Sequence, residues 1–271
     1  MQPRSENFRS QRAGAPELHF LSWGDTALPK LVLLHGGGSN AHWWDHLAPS
    51  FANDFHVIAL DFRGHGASEY PEQLVVGAFN EDVELLLEHL GCRDVVFVGH
   101  SMGCHIAVDH ASRHPGTRGL ALIDIARGST RNARRRSRLA LRMRGSYARR
   151  EDAIDRFQFL PETAHADESL RVAIAEHSIV KTEDDRYTYA FDPRWFTIGS
   201  KPPPDLTKVE CPVLILRGAQ SAILTDEGAR DLTAGLSNAR IEVVEDAGHH
   251  VHIDQPEATL GHLLPFLKQF A

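Results

Sequence analysis

Short apolar runs recur along the chain, the last of them, Ile241-Glu242-Val243-Val244, carrying one charge. Leu31–Leu34, Val57–Leu60, Val95–Val98, Leu120–Ile123, Val213–Leu216 and Ile241–Val244 are too short for helices. Without polar alternation they predict strands buried on both faces. Phe8–Arg12 and Leu18–Trp23 alternate less clearly and are expected to be leading antiparallel strands. Between the second and third runs, Val83, Leu86, Leu87 and Leu90 fall at i, i+3, i+4, i+7 and predict a helix with one apolar stripe. Leu260, Leu263, Leu264 and Leu267 repeat that spacing after Pro256, where a final helix can start. Strand alternating with helix predicts an α/β fold, a mainly parallel sheet covered on both faces.

One interval interrupts this rhythm. From about Arg127 to Lys208 the pattern is helical, with no convincing buried strand, until Pro202-Pro203-Pro204 marks a boundary. The expected division is a core of residues 1–128 and 206–271 with a mostly helical cap, residues 129–205, over one end of the sheet. The arginine-rich stretch Arg131 to Arg150 reads as a solvated helix face. Phe157, Phe159, Tyr187, Tyr189, Phe191, Trp195 and Phe196 either line a pocket or, for most of them, fill the core of the cap.

Composition narrows the function. With 271 residues the chain is long enough for one substantial core. A formal charge of −7 argues against nucleic acid as a partner, because phosphate binding needs a basic surface. No secretory signal is visible in the first thirty residues, and no apolar run reaches membrane-spanning length, so a cytoplasmic protein without a membrane partner is expected. Cys92, Cys104 and Cys211 have neither zinc spacing nor an even number for disulfides.

The chemistry concentrates in three places. Gly99-His100-Ser101-Met102-Gly103 fits G-x-S-x-G and lies between the strand Val95–Val98 and a helix expected from Met102 to about His114. A strand-to-helix turn this tight pushes the serine hydroxyl into the open, and the flanking glycines leave room for it. Ser101 is therefore the candidate nucleophile. His35-Gly36-Gly37-Gly38 follows Leu31–Leu34, where backbone donors for an oxyanion are needed; the N–H groups of Gly37 and Met102 are the natural pair. A serine at its free pKa is a poor nucleophile and needs a histidine within reach. Asp246-Ala247-Gly248-His249-His250 follows Ile241–Val244, which makes His249 the candidate base and His250 the alternative. The group His249, His250 and His252 lacks the carboxylate or cysteine spacing of a metal site, so no metal is expected.

Taken with Asp61-Phe62-Arg63-Gly64-His65-Gly66-Ala67-Ser68 and Asp254-Gln255-Pro256-Glu257, these motifs give a chain that resembles the α/β-hydrolase superfamily, in particular its bacterial capped esterases and C–C bond hydrolases. The resemblance spans nearly the whole chain apart from the cap. It implies an eight-stranded, mainly parallel sheet with helices on both faces, a helical cap inserted after strand 6, no cofactor, and a small-molecule ester or lactone as substrate. It also implies that the D-x-R-G-H-G-x-S stretch is structural. Serine at position 101 sets the chain apart from branches with an aspartate nucleophile. One element departs from the pattern. The turn Gly218-Ala219-Gln220-Ser221-Ala222 has alanine where the relatives carry the triad acid. Asp124, ending Leu120–Ile123, is the best substitute, because both strand ends open onto the same face. Asp226 is a second candidate, and a lost acid is the third possibility. The expected activity is ester or lactone hydrolysis through an acyl-enzyme on Ser101. The alternatives are cleavage of a C–C bond in a diketone-type ring-cleavage product, or a disabled member that only binds a ligand.

Overall fold

A computed structural model of the chain describes residues 1–129, 139, 145–163, 165–199 and 201–271. Eight strands form one sheet: β1 (Arg4–Arg9), β2 (Glu17–Trp23), β3 (Lys30–Leu34), β4 (His56–Asp61), β5 (Val95–His100), β6 (Gly119–Ile123), β9 (Val213–Gly218) and β10 (Ala239–Val244). Their order across the sheet is β1-β2-β4-β3-β5-β6-β9-β10. The pairs β1–β2 and β2–β4 are antiparallel and all the others parallel. The leading strand lies earlier than Phe8–Arg12. Its partners run from Arg4 opposite Ser22 to Arg9 opposite Glu17, and Arg12 falls in the turn that follows.

The apolar runs are explained by the two cores, except that β10 is an edge strand whose Val243 is exposed and not buried as its pattern predicts. Val32 and Leu34 of β3 and Val95 and Phe97 of β5 enter one core, while Leu31, Leu33, Val96 and Val98 enter the other. On the first face lie α1 (Ala78–His89) and α2 (Met102–Arg113), as the periodicity predicts. On the second lie the 3-10 turns Ala41–Trp44 and Ala48–Phe51, the short helix α6 (Val251–Asp254) and the C-terminal helix α7 (Pro256–Leu267). In α7 the buried stripe is Leu263, Phe266 and Leu267, and Leu264 is exposed. Helix α5 (Asp226–Gly235), capped by the Thr225 hydroxyl, gives only a faint sequence signal because Ala229 and Leu232 are its only buried large positions.

Between β6 and β9, the described residues form α3 (Arg150–Asp155), α4 (Glu168–His177) and a hairpin of β7 (Ile179–Lys181) with β8 (Tyr187–Tyr189). The hairpin is the strand pair that the helical pattern does not signal; at three residues each, its strands are too short for period-2 alternation to register. The arginines from Arg131 to Arg144 lie outside the described residues. Phe157 and Phe159 pack edge-on against Trp43, with ring centroids 6.3 and 5.2 Å away. With Ala153, Ile174 and Tyr189 they make a small separate core. This segment docks on the core through backbone: Asp192 N–H donates to Gly64 O (2.7 Å) and Gly66 N–H to Ala190 O (2.8 Å). No described helix is long and apolar enough to cross a membrane.

Candidate active site

Ser101 lies between β5 and α2 with φ 51 and ψ −109, a sparsely populated positive-φ conformation that costs a non-glycine residue about 1–3 kcal/mol. The turn is held from outside. Ser101 N–H donates to Ile123 O at 3.1 Å. A Cβ on Gly103 would sit 2.2 Å from Leu34 O, and one on Gly99 would sit 2.7 Å from Cys104 N, so both glycines of the motif are fixed by close approach.

His249 and Asp124 converge on this serine. The Asp124 carboxylate can only accept, so the 2.6 Å contact from His249 Nδ1 is an N–H donor bond. That leaves Nε2 as an acceptor, and the Ser101 hydroxyl donates to it at 2.9 Å. The three side chains therefore form one directed chain, as expected from their places at the ends of β5 and β6 and after β10. His249 and Asp124 are buried. The cavity between core and inserted segment measures about 610 Å³ and is lined by Ser101, His249, Gly37 and Met102.

Ala222 has an exposed side chain, whereas Asp124 is buried among donors. Asp124 also accepts from the Ser221 hydroxyl (2.6 Å) and from Gly218 N–H (3.3 Å). Ser221 in turn accepts from Ile223 and Leu224 N–H at 3.1 and 3.2 Å. The turn after β9 thus supplies a serine that braces a carboxylate from the neighbouring strand. Ser221 and Asp254 lie in stretches that the sequence marks, but the sequence assigns neither a role of its own. Asp254 accepts from Gly248 N–H at 2.8 Å and anchors the loop before His249. Asp226 pairs with Arg217 at 3.2 Å instead of with an imidazole. His250 faces Phe159 and Trp43, and burial holds its pKa well below the ordinary histidine range.

The glycine loop is equally fixed. His35 Nδ1–H donates to Gly36 O (2.7 Å), so its Nε2 accepts from Phe62 N–H (3.2 Å). Burial keeps His35 below its ordinary pKa, and therefore neutral. Among the described residues neither Gly37 N–H nor Met102 N–H is spent on a protein acceptor. A Cβ on Gly37 would meet the Phe196 ring at 2.9 Å, so the inserted segment lies directly over this loop. The D-x-R-G-H-G-x-S stretch is a scaffold. Asp61 accepts from Ala41 N–H (2.6 Å) and Ala67 N–H (3.0 Å) and pairs with His19 (2.7 Å). Although burial opposes it, these partners hold its pKa below the usual carboxylate range.

The cavity wall is apolar near Ser101, where Met102, Ile106, Leu160, Trp195, Phe196 and Ile223 line it. Asn80, Asp109 and Lys201 make a polar end. Among the described residues of the insertion, Trp195 and Phe196 are the aromatics that reach the cavity; Phe157, Phe159, Tyr187 and Tyr189 belong to the small core.

The sequence pattern of the alpha/beta hydrolase family matches residues 31–261. An esterase of Mycobacterium tuberculosis is 28% identical over 92% of this chain and 86% of its own length. The 3-oxoadipate enol-lactonase 2 of Acinetobacter baylyi is 24% identical over 93% and 94%. Among solved structures, E-2-(acetamidomethylene)succinate hydrolase superposes with a TM-score of 0.85 at 22% identity, covering 98% of this chain and all of that one, which speaks to the fold. The chain belongs to the alpha/beta hydrolase family, with the fold of that family.

Proposed function

We propose that this family member is a serine hydrolase that cleaves carboxylic esters or lactones through an acyl-enzyme on Ser101. The observation that carries the reading is the directed hydrogen-bond chain from Ser101 through His249 to Asp124, opening onto a cavity with two unspent backbone donors. Ser101 attacks the carbonyl while His249 Nε2 takes its proton. Asp124 holds the tautomer and stabilises the imidazolium. The N–H groups of Gly37 and Met102 receive the oxyanion; one such donor contributes about 3–4 kcal/mol to the transition state. His249 then returns the proton to the departing alcohol, and water repeats the sequence on the acyl-enzyme.

The inserted residues 129–205 act in this proposal as a cap that shapes the pocket through Leu160, Trp195 and Phe196. A volume of about 610 Å³ suits a small molecule with a substantial apolar group. The ester-acting names of the Mycobacterium and Acinetobacter relatives point the same way. The test is covalent. A fluorophosphonate should label Ser101 alone, and Ser101→Ala should abolish labelling and lower hydrolysis of p-nitrophenyl esters by about 10⁵-fold or more. A folded Ser101→Ala variant retaining a tenth of the activity would overturn the mechanism.

A further inference from the structure

Two groups of described residues bring two imidazoles and a carboxylate together away from Ser101: Glu84 with His110 and His114, and His42 with Asp45 and His177. Their surroundings differ. Glu84 already has Arg113 at 3.6 Å and Arg93 at 4.0 Å, so its charge is met by guanidinium and a further cation would be repelled. Among the described residues no lysine or arginine pairs with Asp45; its one partner is His42, whose Nδ1 lies 2.8 Å from Oδ2. The second oxygen, Asp45 Oδ1, is buried with no hydrogen-bond partner. A buried carboxylate oxygen left without donors is costly and calls for a ligand.

We propose that His42, Asp45 and His177 bind one divalent transition-metal ion at the seam between the core and the inserted segment. In this site His42 ligates through Nδ1, which already lies 2.8 Å from Asp45 Oδ2, and the ion takes the place of the proton shared between them. One donor atom from each residue lies within 4.8 Å of the other two. A tetrahedral zinc ion with bonds of about 2.0–2.1 Å needs these atoms roughly 3.4 Å apart. The closure comes from His177, which is exposed and stacks on His42 with ring centroids 3.8 Å apart, so turning its ring disturbs no core packing. Asn40 holds both histidine backbones. Its Oδ1 accepts from His42 N–H (3.0 Å) and its Nδ2 donates to His177 O (3.1 Å). Two imidazoles and one carboxylate select Zn²⁺, Co²⁺, Ni²⁺ or Cu²⁺ over Mg²⁺ and Ca²⁺.

Isothermal titration of the full-length, chelator-treated protein with ZnCl₂ and MgCl₂ tests this. One zinc per chain with micromolar or tighter affinity is expected, with no measurable heat of binding for magnesium. His177→Ala and Asp45→Asn should each weaken zinc at least 10-fold, while His114→Ala should leave it unchanged; circular dichroism checks that each variant is folded. The absence of saturable zinc binding would overturn the site. So would unchanged affinity in both seam variants, or a loss confined to His114→Ala.

Discussion

The strand ends beneath the cavity and the segment that covers it face the same space but are built differently. Ser101 and Asp124 both adopt positive φ, and each is held by backbone bonds to the next strand: Ser101 N–H to Ile123 O and Asp124 N–H to Leu216 O. Two full cores press on the sheet that carries them. The inserted segment has short elements, one small aromatic core and a few backbone bonds to Gly64 and Gly66. Positions that must hold a reacting geometry to a few tenths of an ångström are over-determined, whereas positions that shape a pocket are not.

The sharpest way to break this contrast is at the acid. Asp124→Asn should lower turnover by up to about 10⁴-fold with little change in melting temperature, because the amide cannot hold the imidazole in the required tautomer. Ala222→Asp should change activity little, since that side chain is exposed and His249 already has its acceptor. A strong gain from Ala222→Asp in the Asp124→Asn background would move the acid to the turn after β9. A smaller effect separates the two kinds of aromatic in the insertion. Phe157→Ala should destabilise by about 3–5 kcal/mol, as for a truncated core phenylalanine, with the order of substrate preference unchanged. Phe196→Ala should shift relative kcat/KM among acyl chain lengths by roughly 10–200-fold while the melting temperature barely moves. The reverse result would mean that the small core, and not the cavity wall, sets specificity.

The smallest effect tests the packing under the strand ends. Burial, more than any neighbour, holds the pKa values of His100, His250 and His252 well below the ordinary value of 6.5. In the unfolded chain they take up protons as pH falls through about 6.5, but in the folded protein they do not, so stability is full above that pH and declines below it. Each group contributes at most about 1.4 kcal/mol per pH unit. His252→Phe should therefore flatten the loss of unfolding free energy between pH 7 and 5.5 by about one proton, read from urea titrations. An unchanged slope would mean that His252 is protonated in the fold.

The legible part of the sequence was the part that packing dictates. Runs such as Val95–Val98 are apolar throughout because alternate residues enter opposite cores, and the glycines around Ser101 are imposed by neighbouring backbone. The contact of Asp124 with His249 was legible from the strand end it occupies and from the alanine at position 222. Ser221 and Asp254 were not, because a serine in a turn and an aspartate before a helix carry no periodic signal; their roles exist only once distant loops meet. Helix α5 and the hairpin of the insertion were hidden for a related reason, since both bury too few large side chains to impose a period.

Strands β6 and β9 pair directly, Leu120 with Val213 through Ile123 with Leu216, although some ninety residues of chain lie between them. Because the strands are parallel, the excursion leaves the C-terminal end of β6 and re-enters at the start of β9, one strand spacing (about 4.8 Å) across and roughly 10 Å along the strand, so both its ends are pinned. To the sheet, everything between them is a single closed loop, and the entropy of closing a loop grows only with the logarithm of its length, about 0.6 kcal/mol per doubling. The splice point therefore tolerates exchange. A segment of another length can be accommodated there at small entropic cost to the sheet beneath, while Ser101, Asp124 and His249 stay in register.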